Sequence, residues 1–552
     1  MFEIREDFHR NIYIGALILL GVSLPFSVFT LSVAQIILMV NWLLEGRFLQ
    51  KWNLLKQRPA ILIISLFYLV HLLGMIYTSD FSWGFHDLRI KLPLFVLPFV
   101  IGTSAPLNNK QLKIILNFYL AAVLIGSIIS AYFIFGFDGR SVHTIVQISP
   151  FISHIRWSLM VVMSIFIIFW LIIKYQGWIR WSYIPLIIWL VFYLFILQVL
   201  TGIVIFILTS AIILIRIAFT SKQLMLKWFT IIIFFTLLLL SGSYISHAYA
   251  RFFTFEKIDA KTLTKSTAKG NPYSHDLTSK CVENGHYIYM YICEPELRES
   301  WNKRSKLNYD GKALDGAALK DCLIRYLTSK GLRKDAEGIN KLTDNEIKYI
   351  ELGMTNYIAT DKYALYPRVY TAMWELYNYS LGANPSGYSI SQRIEFIKTA
   401  FHIIENNFWF GVGTGDVPDA FSRQYEIDNS KLAKQNRLRA HNQLVTFMLT
   451  FGIFGFLIIL ISLLAPAIIL KKFSNYLFLV IFIIGFLSFL NEDTLETHQG
   501  ISFFAFFYAL FLFYDSKIPN EPSMISNSEK GMKTSIMEVL PKAFLGNMRP
   551  IE

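Results

Sequence analysis

The chain has 552 residues, of which 54% are hydrophobic and only 16% are charged, and its mean hydropathy is +0.47. This composition excludes an ordinary soluble protein and indicates a polytopic membrane protein. The net charge of +13 would suggest a nucleic-acid partner in a soluble protein. In a membrane protein it follows from basic residues that fix the topology, so we expect no nucleic acid to bind.

Nine apolar runs, most of them roughly 17 to 25 residues long, occupy residues 1–250, and such a run crosses a hydrocarbon core of about 30 Å as a helix. They cover residues 12–28, 31–44, 60–77, 88–103, 112–135, 152–175, 181–197, 202–219 and 226–244. The second run is short and the fourth contains Pro93 and Pro98, so these two are the least regular. The first run has no small-residue cleavage site and is predicted to be an uncleaved anchor.

Residues 251–439 differ sharply from this membrane domain. They hold 27 of the 51 Lys and Arg residues and 23 of the 38 Asp and Glu residues. We therefore predict a soluble, mainly helical loop domain inserted between the ninth and tenth spans. Thr343 and Glu346 have the spacing of a capping box at the start of a helix. Residues 314–330 and 363–379 have the apolar spacing of amphipathic helices.

All three cysteines of the chain lie in this loop domain, at Cys281, Cys293 and Cys322. The odd count leaves at least one unpaired within the chain, so we expect one incidental disulfide or none. No Cys or His spacing predicts a metal site, and we expect neither a metal nor another cofactor.

The second half of the loop domain contains its most regular pattern. Ser389 or Ser391 is expected to cap a helix that carries Arg393 and ends at residues 406–407. The aromatic residues 408–410 suit the lipid headgroup level. The turn that follows contains Gly411, Gly413, Gly415 and Asp416. Its amides could bind a phosphate as anion-binding nests do, or the glycines could form a tight turn that returns the chain to the membrane.

Three more apolar runs, at 440–463, 476–490 and 500–514, bring the predicted spans to twelve. Residues 440–516 thus complete the membrane domain of an all-α polytopic protein, and residues 517–552 are predicted to form a disordered cytoplasmic tail. With the N-terminus in the cytoplasm, the short inner connections hold thirteen Lys and Arg residues and the short outer connections hold three. The thirteen are Arg47, Lys51, Lys56, Arg58, Lys110, Lys113, Lys174, Arg180, Arg216, Lys222, Lys227, Lys471 and Lys472, and the three are Arg89, Lys91 and Arg140. Because positive charge is retained inside, the loop domain is predicted to face outward.

A polar cluster, Arg439-Ala440-His441-Asn442-Gln443, lies where the loop domain meets the tenth span. Histidine has an ordinary pKa near 6.5 and can act as a base at neutral pH, although a histidine at a helix entrance can also be an interfacial polar residue. Gly452 and Gly455 follow within the span, where they would allow another helix or a lipid tail to approach closely.

The spacing of these residues resembles a family signature. His441-Asn442, nine further residues, Gly452, two residues and Gly455 resemble in full the signature of the O-antigen ligase and O-antigen polymerase superfamily. The resemblance extends to the helix around Arg393, to the glycine turn and to residues 491–497. The loop domain is similar to that of the Bacteroidetes branch.

The resemblance implies a ligase-type glycosyltransferase that uses no metal. It implies transfer of a glycan from undecaprenyl diphosphate to a hydroxyl acceptor, the lipid A core sugar, with inversion, at the periplasmic face of a bacterial inner membrane. It also implies that His441 and Arg393 are required, and that an arginine near the preceding span, for which Arg251 is the candidate, contributes.

Physical arguments agree with these roles. A diphosphate that leaves at a low-dielectric boundary is stabilised by fixed cations, and arginine binds phosphate bidentately. We therefore expect Arg393, Arg251 and Arg439 to bind the diphosphate, the alternative for each being a contact with the surface or with lipid headgroups. We expect His441 to deprotonate the acceptor, a step that a carboxylate could perform instead. Arg156, near the outer end of the sixth span, is a further candidate phosphate contact, unless it only reaches the interface.

Three carboxylates, Glu492, Asp493 and Glu496, cluster in the last outer connection. They are expected to bind the acceptor, to orient His441 or to have structural roles. One position departs from the family pattern. Many members have a Ser-Arg pair where this chain has Val199-Leu200-Thr201-Gly202, so that phosphate contact is absent or comes from another arginine.

Other functions remain open at this point. An O-antigen polymerase and a protein O-oligosaccharyltransferase would share the donor side of the site with a ligase. A non-enzymatic transporter of lipid-linked glycans is the alternative from a different class. Duplicated halves, broken helices or ionisable residues near the mid-membrane would favour a transporter. The sequence shows no such repeat, and its polar candidate residues cluster at the predicted outer surface.

Overall fold

The computed structural model describes residues 2–135, 151–361 and 364–514. Arg140 and the predicted tail at 517–552 lie outside the described residues. The helices before the loop domain are α1 (Phe2–Ser23), α2 (Val28–Glu45), α3 (Phe48–Gln57), α4 (Pro59–Gly74), α5 (Phe81–Lys91), α6 (Pro93–Thr103), α7 (Asn109–Ile134), α8 (His154–Lys174), α9 (Tyr183–Ile196), α10 (Leu200–Thr220) and α11 (Leu224–Phe252). The helices after it are α19 (Gln443–Ile469), α20 (Tyr476–Phe489) and α21 (His498–Phe513).

The protein is helical and apolar, as predicted. Among the described residues, eight helices are long and apolar enough to cross a membrane by length and composition, and α20 and α21 are shorter apolar helices. The exact number of twelve spans stays a prediction. The fourth predicted span, 88–103, is not one continuous helix in the structure. It is divided at Leu92 between α5 and α6, because Pro93 starts a new helix at the position where its missing N–H costs nothing.

The centre of the bundle is occupied by α21 and α8. Every residue from Gly500 to Phe513 in α21 is buried, and α8 is buried over most of its length. A helix that is apolar all round is stable in such a position. At the edge, α11 contacts α10 and leaves most of its residues exposed. The apolar core of the bundle therefore lies around α8 and α21 and not around α11.

The loop domain contains an insert subdomain, residues 254–361, with its own core. Its elements are β1 (Val282–Glu283), β2 (His286–Tyr287), α12 (Glu294–Arg304), α13 (Leu319–Ser329), α14 (Ala336–Asn340) and α15 (Asp344–Glu351). The capping box of Thr343 and Glu346 is confirmed at the start of α15. The core is formed around Trp301, Leu323 and Tyr326, and the three cysteines of the subdomain are free.

Three helices join this subdomain to the membrane helices: α16 (Tyr366–Ser380), α17 (Ser389–Asn406) and α18 (Val417–Ile427). The buried Glu283 accepts hydrogen bonds from Asn356 at 2.9 Å and Tyr370 at 3.1 Å, which attaches the subdomain to α16. The expected serine cap of α17 is wrong. Glu375 of α16 instead accepts from the amide of Ile390 at 2.7 Å, because a carboxylate suits the unpaired amides and the dipole at a helix start.

Candidate active site

The glycine turn packs against an interruption in α19. Gly452 has φ +61° and ψ −170°, so the helix is broken there. The amides of Val412 and Gly413 donate to the carbonyls of Leu449 at 3.0 Å and Thr450 at 2.9 Å. In return, the amide of Ile453 donates to Phe408 at 2.8 Å. The turn thus satisfies backbone groups that the break in α19 would leave unpaired.

The other amides of the turn are also occupied. Those of Gly411, Thr414 and Gly415 donate to Asn407, Gly74 and Thr78. The Asp416 carboxylate accepts from the amides of Ser79 at 2.9 Å and Asp80 at 2.8 Å, which fixes the turn to the start of α5. With all five amides of residues 411–415 bonded within the protein, they have no donor left for a phosphate. The tight-turn interpretation therefore fits this segment, and the anion-nest interpretation does not.

The polar residues before α19 face the connection between α20 and α21. Asn442 caps α19 by accepting from the amides of Leu444 and Val445, both at 3.1 Å. Its own amide donates to Leu490 at 2.9 Å. Asp493 accepts from the backbone amide of His441 at 3.1 Å and from the Thr446 hydroxyl at 2.9 Å. These bonds bring the carboxylates of residues 492–496 beside the predicted base.

Glu496 lies at the bottom of this arrangement in a buried network. Its carboxylate contacts Lys91 at 2.7 Å and Arg439 at 3.0 Å, and it accepts from Gln443 at 2.8 Å. Burial raises the pKa of Glu496, but the two cations outweigh it and hold the pKa well below its usual range. The same network explains Lys91, a residue counted in sequence as an outer-face charge, which is only 1% exposed.

His441 is held in an uncommon conformation. Its backbone has φ +48°, in the left-handed region that residues other than glycine rarely adopt. The ring stacks on Phe396 at a centroid distance of 5.6 Å. Its Nδ1 lies 3.7 Å from Glu492, longer than a hydrogen bond, and is buried with no hydrogen-bond partner among the described residues. The imidazole is thus held in place by its surroundings, while its Nδ1 is still available for a hydrogen bond.

Arg393 projects from α17 to the other side of Glu492. It makes a short charge-assisted contact with the Glu492 carboxylate and donates to Asn491 at 2.8 Å. Asn491 in turn donates to the Thr201 hydroxyl at 2.8 Å, at the position where the sequence departs from the family's Ser-Arg pair. Burial raises the pKa of Glu492, but His441 and Arg393 lower it below its usual range, so this carboxylate is ionised between them.

Two cavities lie next to the contact between Arg393 and Glu492, with Glu492 bordering the first and Arg393 bordering the second. The first cavity, of about 380 Å³, is bordered by three arginines, three carboxylates, His441 and aromatic rings. The charged members are Arg156, Arg437, Arg439, Glu492, Asp493 and Glu496. The second cavity, of about 590 Å³, has Arg393, Arg368 and His154 at its polar end and an apolar wall from α10 and α20. The wall includes Val204, Ile205, Leu208, Leu487 and Leu490.

The comparisons with known proteins fall on this part of the chain. Residues 369–460 match the O-antigen ligase family model, and no curated protein matches the chain. The chain carries an O-antigen ligase domain. The matched residues run from α16 into α19 and include Arg393, the glycine turn and His441. The Bacteroidetes-type assignment stays a prediction.

The O-antigen ligase domain and the segments around it bring most of the predicted site residues together. His441, Arg393, Arg439 and the three carboxylates form one cluster, and Arg156 lies on the first cavity with its Nε buried and without a hydrogen-bond partner among the described residues. Arg251 is not brought to either cavity. Its guanidinium lies over the Tyr366 ring at 4.1 Å, so its diphosphate role stays a prediction that no contact supports.

Sequence reasoning missed Arg368, which borders the second cavity one residue before the matched range. The signal was present as spacing: Arg368, Thr371, Ala372 and Glu375 recur at helical intervals on one face of α16, opposite its aromatic face. No group of three or more His, Cys, Asp or Glu side chains in the described part of the chain is arranged to hold a metal ion.

Proposed function

We propose that the protein is a ligase-type glycosyltransferase of the bacterial inner membrane. It moves a glycan from undecaprenyl diphosphate to a hydroxyl of an acceptor, the lipid A core sugar, at the periplasmic face. The observation that carries the proposal is the row Arg393, Glu492, His441, which joins a cavity with a lipid-compatible wall to a polar cavity.

The donor occupies the second cavity in this proposal. Its apolar wall, formed by side chains of α10 and α20, suits an isoprenoid chain, and Arg393 at its polar end suits a diphosphate. Cleavage of the sugar concentrates negative charge on the diphosphate in a region of low dielectric. A guanidinium already fixed by Asn491 and Glu492 stabilises that charge without reorganising.

The acceptor occupies the first cavity. Its mixture of charged groups with the rings of Trp83 and Tyr425 suits a sugar, which presents both hydroxyls and apolar faces. The acceptor hydroxyl gives its proton to an imidazole nitrogen of His441 while its oxygen bonds to the anomeric carbon of the donor. The bond from that carbon to the diphosphate oxygen breaks, and the electron pair leaves with the diphosphate. One displacement inverts the anomeric centre.

Glu492 supports both halves of this reaction. As an ionised carboxylate it stabilises the imidazolium that forms when His441 takes the proton, and it fixes Arg393 at the leaving group. Arg156 and Arg439 on the first cavity add positive charge near the reacting centre, although Glu496 offsets that of Arg439. No metal takes part in this scheme.

Product analysis of a deletion strain tests the proposal against functions with the same donor chemistry. A ligase is supported when polymer disappears from lipid A and accumulates on the lipid carrier. Capping with a single repeat would indicate a polymerase, and loss of glycan from proteins would indicate a protein O-oligosaccharyltransferase. If the glycans on lipid A, on the lipid carrier and on proteins are all unchanged when the gene is deleted, the protein is not a transferase of this kind.

A further inference from the structure

The polar end of the second cavity contains a second arginine, and its surroundings differ from those of Arg393. Arg368 lies near the start of α16, on the face that borders the cavity, and is half-buried. Arg393 enters the same cavity from α17. The two guanidinium groups thus approach one space from two helices of the loop domain.

The charge of Arg393 is offset within the protein, whereas that of Arg368 is not. Arg393 contacts the carboxylate of Glu492. Arg368 forms no ion pair in the described part of the chain, and its hydrogen bond runs from Nε to the neutral Gln198 side chain at 3.4 Å. Burial lowers the pKa of Arg368, and no neighbouring carboxylate counteracts this.

The carboxylate that does border the cavity is already engaged. Glu375 accepts from the amide of Ile390 at 2.7 Å and caps α17. It lies two turns of α16 beyond Arg368 and makes no salt bridge with it. Arg368 therefore has no ion-pair partner among the described residues, although Glu375 borders the same cavity.

Gln198 holds this arginine in position. It is buried, has φ +52°, and donates from its side chain to the Ala364 carbonyl at 3.0 Å just before α16. The junction between α9 and α10 is thereby attached to the start of α16. Arg368 borders the same cavity as the apolar wall that α10 contributes. A ligand with its apolar chain on that wall would place an anionic head group near Arg368.

We propose that Arg368 is a diphosphate-binding residue of the second cavity, and that it supplies the binding charge while Arg393 acts on the leaving group during the reaction. This assignment rests on the proposed donor. A half-buried guanidinium without a carboxylate partner gains more from a diphosphate than one whose charge is already balanced, because its desolvation is otherwise uncompensated. Its contribution is therefore present in the bound ground state as much as in the transition state.

The test compares Arg368→Gln and Arg368→Lys with Arg423→Gln in the full-length protein in nanodiscs. Arg423 is an exposed arginine of α18 that borders neither cavity. Binding is measured with undecaprenyl diphosphate, inorganic pyrophosphate and undecaprenol. We expect Arg368→Gln to weaken undecaprenyl diphosphate binding and to raise the donor KM at least tenfold, with kcat changed less than threefold. The lysine variant should recover part of the affinity.

Two results would overturn the assignment: undecaprenyl diphosphate binding by Arg368→Gln equal to that of the wild type, or an equal loss in Arg423→Gln. Equal weakening of undecaprenol binding would also overturn it, since it would indicate a structural effect. Pyrophosphate binding that depends on Arg368 supports an anion site independent of the lipid. The binding measurement tests the role of Arg368 separately from the proposed transferase function. A protein that binds undecaprenyl diphosphate through Arg368 but transfers no glycan would contradict only the proposed function.

Discussion

The two cavities are linked by the contact between Glu492 of the first and Arg393 of the second, but their linings differ. The first is bordered by charged pairs and aromatic rings, and the second by apolar side chains of membrane helices with two arginines at one end. Ligand sites usually combine apolar walls with a few polar groups. The apolar wall of the second cavity suits a substrate whose lipid chain lies next to its reacting group, and the charged and aromatic lining of the first cavity suits a sugar hydroxyl. Substitutions in one cavity should therefore affect one substrate and spare the other.

The largest effect is expected for His441→Ala, which removes the proposed base from the first cavity. We expect transfer to fall by about 10²- to 10⁴-fold, the usual contribution of a general base, while undecaprenyl diphosphate binding in the second cavity is retained. The measurement is glycan transfer in membranes with matched protein levels. His402→Ala is the control, because His402 is an exposed histidine of the loop domain that pairs with Asp428. Transfer that persists in His441→Ala would exclude this histidine as the base.

Arg393→Lys should disrupt the contacts of residue 393 with Asn491 and Glu492 without removing a positive charge. A lysine ammonium is a point charge and cannot reproduce the separate contacts to Asn491 and Glu492, so we expect kcat to fall by about 10²- to 10³-fold. Arg298→Lys is a matched control, since Arg298 makes two contacts with Asp310 in the insert subdomain, at 2.8 and 2.9 Å. An increase in donor KM with unchanged kcat would assign Arg393 to binding instead.

Glu496→Gln tests the buried floor of the first cavity. We expect a loss of about 1–3 kcal/mol in the free energy of unfolding at pH 7, because Lys91 and Arg439 lose their common carboxylate. The pKa of Glu496 lies well below its ordinary 4.5, so the stability that its charge adds is present at neutral pH and declines as the pH falls below about 4.5.

Thermal unfolding at pH 7 and pH 4 measures this difference. The gap between wild type and Glu496→Gln should narrow at the lower pH. Glu299→Gln is the control, since Glu299 pairs with Lys303 on the surface, where both side chains are more than half exposed. A gap that widens on acidification would contradict the direction assigned to this pKa.

The smallest effect is expected in the apolar wall of the second cavity. Leu208→Ala removes the isopropyl group that would contact the isoprenoid, and we expect a rise in donor KM of about three- to tenfold. Ile212→Ala, one turn further along α10, is the control, because Ile212 borders neither cavity. The acceptor KM should not change. A change in acceptor KM alone would reverse the assignment of substrates to the two cavities.

Much of the helical architecture could be predicted from sequence, because an apolar run of sufficient length has few alternatives to a helix in lipid. The start of α15 was equally predictable, since a capping box involves only Thr343 and Glu346. The division between α5 and α6 shows what the apolar pattern alone does not predict. Pro93 marked the position, but whether it bends one helix or separates two depends on neighbours that periodicity does not identify.

The candidate active site was predicted only in part, because it also depends on contacts between distant segments. Residues 439–443 and 492–496 were identified by their chemistry, yet their pairing joins segments about fifty positions apart, and a single sequence does not state which carboxylate meets which cation. The cap of α17 shows this too, because Glu375 takes the place of two nearby serines. Arg368 was missed because the apolar wall opposite it comes from α10 and α20.

The broken helix α19 also makes its first turns depend on the loop domain. A Cβ on Gly452 would lie 2.3 Å from the carbonyl carbon of Trp409, so no side chain fits between the loop backbone and the helix at this position. The carbonyls of Leu449 and Thr450 find their donors in the glycine turn, which precedes them in the chain. The first turns of α19 therefore depend on the glycine turn for these hydrogen bonds. His441 lies directly before these turns and its amide donates to Asp493, so the position of the proposed base depends on the loop domain, on α19 and on the connection between α20 and α21 together.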